Sequence, residues 1–247
     1  MSASDLFGDR AREYARYRPT YPAQLFDHLE GLVEERERAW DCGAGSGQTA
    51  RSLALRFAQV VATDVSERQL AQADSAERVA FVAATAEAVP MRERCVDLVT
   101  VSAAVHWFDR PLFYDEVRRV TRPGGVLAVW SYYHSQIEPA IDQVLERFEQ
   151  VVASHWPTRF DLNRNLYRDL DLPFERLPWP VLHAEAHMRL PDLMNYLRTW
   201  SASQGYERSE GRDPVASVRA ELEGAWGDPE KERVVRWPLH GAVGRIG

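Results

Sequence analysis

The sequence predicts an α/β fold in which a mostly parallel sheet carries helices on both faces. Short apolar runs alternate with helical patterns from Arg38 to Trp130, as in sheets whose strands are joined by crossover helices. A glycine-rich segment, residues 41–47, directly follows the first apolar run, and Asp64 ends the second run. No internal repeat or low-complexity tract interrupts this order. We therefore expect a single domain that spans residues 1–247.

The elements of the sheet region are predicted in chain order. Leu25 and Leu29 share one helical face and Pro22 stands near its start, which predicts the first helix. Ser66 and Gln69 have the Ser-x-x-Gln spacing of a capping box, which predicts a helix start after the second strand. Short apolar runs predict the strands, which lie at residues 38–41, 59–64, 79–82, 96–101 and 126–130.

The regular alternation stops after Trp130. Helical patterns continue at residues 140–152, 193–200 and 215–226. The stretch 156–180 is rich in proline and aromatic residues and predicts loops. Near the end of the chain, residues 233–239 and 242–246 predict two strands that return to the sheet.

This pattern predicts a core and a cap. We expect the core to comprise about 31–132 plus 232–247. The cap, about 1–30 and 133–231, is expected to be rich in α-helix. It should lie over the carboxyl edge of the strands, which is where such sheets bind ligands.

Composition disfavours several classes of partner. The chain has 30 basic and 37 acidic residues and a formal net charge of −7. An acidic surface repels phosphate backbones and anionic lipids, so we expect no nucleic-acid or membrane partner. The N-terminus has no apolar segment of signal-peptide length, and Cys42 and Cys95 form no metal-type cluster. We expect a cytoplasmic protein without a bound metal, and the oligomeric state stays open.

The segment Asp41-Cys42-Gly43-Ala44-Gly45-Ser46-Gly47 joins the first strand to a helix. Its glycines allow the backbone to turn sharply and to approach a ligand without side-chain clash, although a tight turn alone has the same pattern. Asp64 follows the central glycine at the spacing of about 20 at which an acidic residue meets ribose hydroxyls in nucleotide-binding sheets. The alternative is a helix-capping aspartate before Ser66.

These segments resemble the class I S-adenosylmethionine-dependent methyltransferases, whose first motif is Asp-x-Gly-x-Gly-x-Gly. Later segments agree in order: Thr85-Ala86-Glu87-Ala88-Val89-Pro90, Val96-Asp97-Leu98-Val99 and Arg122-Pro123-Gly124-Gly125. The segments Tyr14 to Pro22 and Ala104-Val105-His106-Trp107-Phe108 are similar to the branch that contains the trans-aconitate methyltransferases. That branch is related to the ubiquinone and menaquinone methyltransferases. The resemblance implies a Rossmann-like sheet and binding of S-adenosyl-L-methionine, with S-adenosyl-L-homocysteine as product.

The resemblance also implies which residues bind the cofactor. The glycine corner would line the methionine and ribose part, and Asp64 would take the ribose hydroxyls. The family often has aspartate where this chain has Thr85, whose hydroxyl can still accept a hydrogen bond. The implied set is Asp41, Gly43, Ala44, Gly45, Gly47, Asp64, Val65, Gln69, Thr85, Ala86, Glu87, Ser102 and Ala103.

Aromatic and basic residues near the N-terminus suggest further cofactor contacts. The rings of Tyr14, Tyr17 or Trp107 could face the sulfonium cation, a contact worth about 0.5–2 kcal/mol. Arg18 could pair with the carboxylate of the cofactor. The alternative interpretation is that these side chains anchor an N-terminal helix on the core.

The acceptor is expected to meet the methyl group after the fourth strand. His106 lies there and is the candidate base or acceptor ligand, because histidine titrates near neutral pH. The alternative is a structural histidine beside Trp107, and His134 is the second choice of base. The predicted acceptor-binding residues are His106, Trp107, Tyr132 and Trp200.

The sequence therefore predicts a methyltransferase that acts on a small carboxylic acid or a heteroaromatic metabolite, at oxygen or nitrogen. A nicotinamide-dependent dehydrogenase would use a similar sheet and acidic residue, but the Gly-x-Gly-x-Gly spacing disfavours it. A non-catalytic subunit that binds the cofactor is the remaining alternative.

Overall fold

The computed structural model of the chain describes residues 17–247. This part of the chain forms α1 (Ala23–Glu30), α2 (Gln48–Leu53), α3 (Glu67–Leu70), α4 (Arg110–Val120), α5 (Pro139–Val152), α6 (Asp161–Arg164), α7 (Leu190–Arg198), α8 (Ser201–Glu210) and α9 (Arg219–Trp226). The strands are β1 (Arg38–Cys42), β2 (Gln59–Asp64), β3 (Val79–Ala83), β4 (Val96–Ser102), β5 (Thr121–Tyr132), β6 (Glu175–Leu177), β7 (His183–Met188) and β8 (Arg233–Arg245). None of these helices is long and apolar enough to cross a membrane.

The strands β1 to β5 form the parallel part of one sheet. The order across the sheet is β3-β2-β1-β4-β5-β8-β6, with β7 paired to β8. The chain order changes direction between β1 and β4, so the loops that follow these two strands diverge and leave a crevice at the carboxyl edge. The predicted Rossmann-like, mostly parallel sheet is confirmed.

Alternation along β5 shows how both faces of the sheet are buried. Successive side chains of a strand point to opposite faces. Ala128 and Trp130 belong to the core cluster that contains α1 and α2. Leu127 and Val129 belong to a second cluster, together with Phe113 of α4. Burial on both faces explains why the parallel strands are nearly continuous apolar runs in the sequence.

The last strand differs from the prediction of two short strands. β8 is one strand of 13 residues, and Leu239 lies opposite Tyr132, the last residue of β5. Its first half therefore extends past the carboxyl edge, where it pairs with β7. Gly241 has the pattern of a turn, but a Cβ there would lie 2.6 Å from the carbonyl oxygen of Val129. This glycine allows close approach of β8 to β5 and does not end the strand.

The predicted cap contains more β-structure than expected. β6 lies in the stretch predicted as loops and pairs with β8 at the edge of the main sheet. β7 and the first half of β8 form a ribbon beyond the carboxyl edge, on which α7 packs through a hydrogen bond from Trp237 Nε1 to Tyr196 Oη of 3.0 Å. The helices α5, α7, α8 and α9 complete this region.

The residues 17–22, which we call the N-terminal strap, connect the core and the cap. Gln48 Nε2 of α2 donates to Pro19 O at 3.1 Å, and Asn195 Nδ2 of α7 donates to Tyr17 Oη at 3.1 Å. The following helix, α1, buries Phe26 in the same core cluster as β5. Within the segment predicted as cap, α1 thus belongs to the helical layer of the core.

Candidate active site

The segment after β1 turns sharply because its glycines adopt left-handed backbone angles. The φ angles of Gly43, Gly45 and Gly47 are 70°, 55° and 76°, a region that costs a residue with a side chain about 1–2 kcal/mol. The amides of Gly43 and Ala44 both donate to Thr63 O, at 2.8 and 2.9 Å. These bonds hold the glycine corner, residues 43–47, against the end of β2.

The carboxylate of Asp64 connects the glycine corner to the carboxyl end of β2. Its Oδ2 accepts the amide of Gly45 at 2.9 Å, and its Oδ1 accepts the amide of Ser66 at 2.8 Å. Burial raises the pKa of Asp64, and these backbone hydrogen bonds oppose that shift. A carboxylate has about four lone-pair positions. Acceptor capacity therefore remains for the hydroxyl groups of a ligand.

A cavity of about 210 Å³, here called the corner cavity, opens beside Asp64. Two of its polar side chains are held by hydrogen bonds: Glu87 Oε1 accepts the amide of Asp109 at 2.9 Å, and Ser102 Oγ accepts from Thr49 Oγ1 at 3.1 Å. The structure brings most predicted residues together around it, namely Arg18, Gly43, Ala44, Gly45, Asp64, Val65, Gln69, Ala86, Glu87, Ser102, Ala103, Trp107 and Tyr132.

Asp41 lies beneath the corner and does not line the corner cavity. The side chain is fully buried, and Thr100 Oγ1 donates to its Oδ1 at 2.9 Å. Burial raises the pKa of Asp41 to about 7, although the hydrogen bonds from Thr100 and from the backbone of Ala50 lower it. A carboxyl group with this pKa exchanges its proton near neutral pH.

Other predicted cofactor residues also lie away from the corner cavity. A Cβ on Gly47 would lie 2.6 Å from the ring of Phe81, so this glycine meets a packing requirement as well as a turn. Thr85 is exposed and pairs with Ala88 in an isolated bridge. Tyr14 lies outside the described residues.

A second, smaller cavity of about 40 Å³, here called the aromatic cavity, adjoins the first. It contains the two predicted acceptor residues that the corner cavity lacks, His106 and Trp200. The residues common to both cavities are Arg18, Ala103, Trp107 and Tyr132. The structure thus places all four predicted acceptor residues around one cavity next to the predicted cofactor residues.

Stacked rings form the wall of the aromatic cavity. Trp156 and Phe160 lie parallel, with centroids 4.3 Å apart and an interplanar angle of 5°. The ring of His106 meets Phe160 edge-on at 5.0 Å, and Trp200 lies 5.7 Å from Trp156. Such a surface favours flat, apolar parts of a ligand.

Arg18 lies at the boundary of the two cavities. Its Nη1 donates to Tyr132 Oη at 3.2 Å and its Nη2 donates to Thr199 O at 3.5 Å. The guanidinium also lies 5.4 Å from the ring centroid of Tyr196. Tyr17, the other strap residue considered for the cofactor, contacts α7 and lines neither cavity.

Backbone strain marks the same boundary. Ala103 has a φ of 52°, which is uncommon for a residue with a Cβ and costs of order 1–3 kcal/mol. Its amide donates to Trp130 O at 2.8 Å, which ties the end of β4 to β5. Strained residues of this kind cluster at functional sites, and this one borders both cavities.

Comparisons with known proteins agree with this geometry. A family model described as a methyltransferase domain matches residues 40–129. A protein of Dictyostelium discoideum named as a methyltransferase is 30% identical over 223 residues, which cover 88% of this chain and 85% of that protein. A solved structure named as a type II methyltransferase, from Anaeromyxobacter dehalogenans, has a TM-score of 0.87 and 38% identity, and covers 93% of this chain and 98% of that chain.

The chain belongs to the class I methyltransferases. An uncharacterised methyltransferase of Mycobacterium tuberculosis matches over 128 residues at 39% identity, which is 51% of each chain. The family resemblance seen in the sequence is confirmed, whereas the comparisons leave the acceptor of this methyltransferase open.

His106 is buried in this methyltransferase. Its side chain is 7% exposed, and its Nδ1 has no hydrogen-bond partner within the described part of the chain. Burial lowers the pKa of His106 to about 3. The imidazole is therefore neutral at pH 7, where it can donate or accept a hydrogen bond.

Replacement of His106 with asparagine is expected to change how stability depends on pH. The folded state excludes a proton that the unfolded chain binds below its ordinary pKa of 6.5. Stability is therefore fully present above pH 6.5 and falls by about 1.4 kcal/mol per pH unit below it, toward pH 3. Urea unfolding at pH 7.5 and pH 5.0 should show wild type losing about 2 kcal/mol more than His106→Asn. His183→Asn, at an exposed position, is the control, and parallel losses in all three proteins would contradict the assignment.

Sequence reasoning missed several residues around the two cavities. Ser46 and Gln48 belong to the corner segment and could have been inferred from its motif. Asn163 and Phe160 had no signal, because the stretch that contains them was predicted as loops. Across residues 17–247, no three His, Cys, Asp or Glu side chains are grouped to hold a metal ion.

Proposed function

We propose that this methyltransferase takes its methyl group from S-adenosylmethionine and transfers it to a small molecule. The acceptor class is a small carboxylic acid or a heteroaromatic metabolite, methylated on oxygen or nitrogen, and S-adenosylhomocysteine is the product. The observation that carries the proposal is the hydrogen bond of 2.9 Å from the amide of Gly45 to Asp64. It brings a flexible backbone corner and a carboxylate to one cavity.

The residues of the corner cavity fit an adenosyl ligand. Asp64 retains acceptor capacity for ribose hydroxyls, and Gln69 and Glu87 offer polar groups on the same cavity. Asp41, beneath the corner, is proposed to attract the positively charged amino end of the ligand. That cation would lower the pKa of the carboxyl group and keep it ionised. When bound, the donor supplies an electrophilic methyl group on a sulfonium centre.

The contribution of the protein to such a transfer is mainly positioning. Good alignment of two reactants supplies several kcal/mol, up to about 7–11 in the best cases. Arg18 and Tyr21 of the strap line the corner cavity, and Ala103 and Trp107 border both cavities. His106 is proposed to hold the acceptor through a hydrogen bond with its neutral ring. A pKa of about 3 makes this ring a weak general base near neutral pH, which disfavours the base role predicted from the sequence.

Isothermal titration calorimetry tests the proposed donor. S-adenosylhomocysteine is expected to bind with a Kd of about 1–10 µM, or about −7 to −8 kcal/mol. NAD and NADP should bind at least about 100-fold more weakly, because the Gly-x-Gly-x-Gly corner differs from the dinucleotide form. NAD binding as tight as that of S-adenosylhomocysteine would contradict the proposal and favour a nicotinamide-dependent dehydrogenase.

A second measurement separates an enzyme from a non-catalytic subunit. The protein is incubated with S-adenosylmethionine carrying a labelled methyl group and a pool of small acids and heteroaromatic compounds. Transfer of label into a product is expected. Cofactor binding without transfer to any compound would favour the subunit.

We also propose that the protein acts in the cytoplasm without a nucleic-acid or membrane partner. The formal net charge of −7 supports the absence of such partners, because it disfavours phosphate backbones and anionic lipids. The free thiols of Cys42 and Cys95 support the compartment, because the cytoplasm keeps thiols reduced.

A further inference from the structure

We infer that the aromatic cavity accepts an uncharged hydroxyl group on a single aromatic ring, so that the methyl acceptor belongs to the hydroxyarenes or hydroxyheteroarenes. This inference rests on the proposed methyl-transfer function and narrows its acceptor class. It is carried by three buried polar atoms, by the charges of the cavity wall and by the size of the cavity.

Three uncharged residues that line the aromatic cavity each hold a buried polar atom that has no hydrogen-bond partner within the described part of the chain. They are His106 Nδ1, Trp156 Nε1 and Asn163 Oδ1. We call these atoms the polar trio. An unpaired buried polar group is destabilising, so native proteins pair such groups with water or with a ligand. Three such atoms around one cavity point to a ligand there.

The chemistry of the polar trio selects the ligand group. The indole of Trp156 is a donor only, whereas Asn163 Oδ1 is an acceptor. The orientation of that amide follows from its Nδ2, which donates to Tyr132 O at 3.4 Å. His106 Nδ1 takes either role according to its tautomer. The trio therefore needs a group that both donates and accepts.

A hydroxyl group meets this requirement and a carboxylate does not. A hydroxyl accepts from Trp156 Nε1 and donates to Asn163 Oδ1 or to His106. A carboxylate only accepts, so it would leave Asn163 Oδ1 unpaired and place a negative charge beside this oxygen. Arg18 in the same wall attracts a carboxylate, but two of its nitrogens already donate to protein oxygens. The polar trio therefore favours a hydroxyl over a carboxylate.

Charges around the cavity disfavour a cationic acceptor. Among residues 17–247, no aspartate or glutamate lines the aromatic cavity, and Arg18 is the charged side chain in its wall. Two guanidinium nitrogens of Arg18 already donate to protein oxygens, those of Tyr132 and Thr199. Its positive charge repels an ammonium group.

The size of the aromatic cavity limits the acceptor. Its volume is about 40 Å³, which is below the roughly 150 Å³ that holds benzene in an apolar protein cavity. A single ring therefore fits only where a wall side chain is displaced, and a fused bicycle fits less well. The hydroxyl must also face the boundary with the corner cavity, because the methyl donor is proposed to lie there.

The proposed transfer balances without a further reactant. The sulfonium S–CH3 bond breaks, an aryl O–CH3 bond forms, and the hydroxyl proton is released to water. The products are an aryl methyl ether, S-adenosylhomocysteine and one proton.

Competition between simple probes tests this inference by calorimetry on the full chain saturated with S-adenosylhomocysteine. The probes are phenol, benzoate, cyclohexanol and 2-naphthol. Phenol is expected to bind at least about tenfold more tightly than each of the others. Equal or tighter binding of benzoate, cyclohexanol or 2-naphthol would overturn the assigned class.

Two variants test whether the polar trio causes the preference. Trp156→Phe keeps an aromatic wall but removes the indole donor, and Asn163→Leu removes the amide acceptor. Each is expected to reduce the ratio of phenol to benzoate affinity at least about fivefold. Trp179→Phe is the matched control, because Trp179 Nε1 donates to Leu239 O outside both cavities. An unchanged ratio in both trio variants would contradict the inference.

The outcomes distinguish this inference from the function on which it rests. Failure of S-adenosylhomocysteine to bind would contradict the proposal that S-adenosylmethionine is the methyl donor. If S-adenosylhomocysteine binds normally but phenol is not preferred, the assigned acceptor class is wrong and the proposed methyl-transfer function still stands.

Discussion

Replacement of Asp64 with alanine is expected to weaken the binding of S-adenosylhomocysteine about 100-fold. Hydrogen bonds to a charged group contribute about 1.5–3 kcal/mol, and a factor of 100 corresponds to about 2.7 kcal/mol. The variant also removes the acceptor for the amide of Gly45, which helps to hold the glycine corner at 2.9 Å from the carboxylate. Calorimetric titration at pH 7.5 measures the affinity.

Stability is expected to change far less than affinity in this variant. Alanine leaves the amides of Gly45 and Ser66 without their acceptor, but it also relieves the burial that raises the pKa of Asp64. Gly45 and Ser66 both line the corner cavity, so water can take the place of the carboxylate at their amides. We therefore expect a loss of about 1 kcal/mol or less in the free energy of unfolding. Asp74→Ala, at an exposed aspartate on the loop after α3, is the matched control. An unchanged affinity in Asp64→Ala would refute the role assigned to this carboxylate.

The parallel part of the fold was predictable because its signals are local. The strands β1, β2 and β4 and the second half of β5 are short, mostly buried apolar runs, so the run itself marks the strand. The edge strand β3 is also an apolar run, although its residues are partly exposed. The capping residue Ser66 accepts the amide of Gln69 at 3.3 Å, as the Ser-x-x-Gln spacing predicts. Most of the corner cavity was predictable for the same reason, since its residues follow the ends of these strands.

The cap was less predictable because its structure depends on distant contacts. The short strand β6 has the sequence Glu-Arg-Leu, which carries no periodic signal, and it exists through pairing with β8. Likewise, β8 passes through His240 and Gly241 without a break, because Val129 of β5 and the ring of Trp179 occupy the space beside the glycine. A single sequence shows the glycine and not the neighbours that require it.

The aromatic cavity illustrates the same limit at the level of the site. His106 was predicted from its place after β4, but its neutral state follows from burial among Phe160 and Trp107. Asn163 comes from α6, which lies 31 residues after Tyr132, its hydrogen-bond partner. The packing of the cap brings such residues to the cavity. Sequence spacing alone does not predict that they lie there.

Gly43→Ala is expected to destabilise the fold by about 3 kcal/mol or more and to weaken cofactor binding. Two costs add at this position. The φ of 70° costs a residue with a Cβ about 1–2 kcal/mol, and that Cβ would lie 2.6 Å from Ala104 Cβ and 3.3 Å from Phe108 Cζ. Forcing extra volume into a packed site costs typically about 1–3 kcal/mol. Urea unfolding and calorimetric titration with S-adenosylhomocysteine measure the two effects.

A second glycine separates these two costs. Gly124 has a φ of 81°, yet no atom lies within 4 Å of a Cβ built there, so Gly124→Ala should lose about 1–2 kcal/mol and keep its cofactor affinity. The double variant Gly43→Ala/Ala104→Gly removes the nearest atom and should recover part of the stability, a coupling that a double-mutant cycle isolates. Ala104 follows β4 and lines the corner cavity. Such recovery would show that position 43 needs glycine for two reasons, its close contact with the β4 loop and its backbone turn. Equal losses in Gly43→Ala and Gly124→Ala, with no coupling, would instead assign the whole effect to backbone conformation.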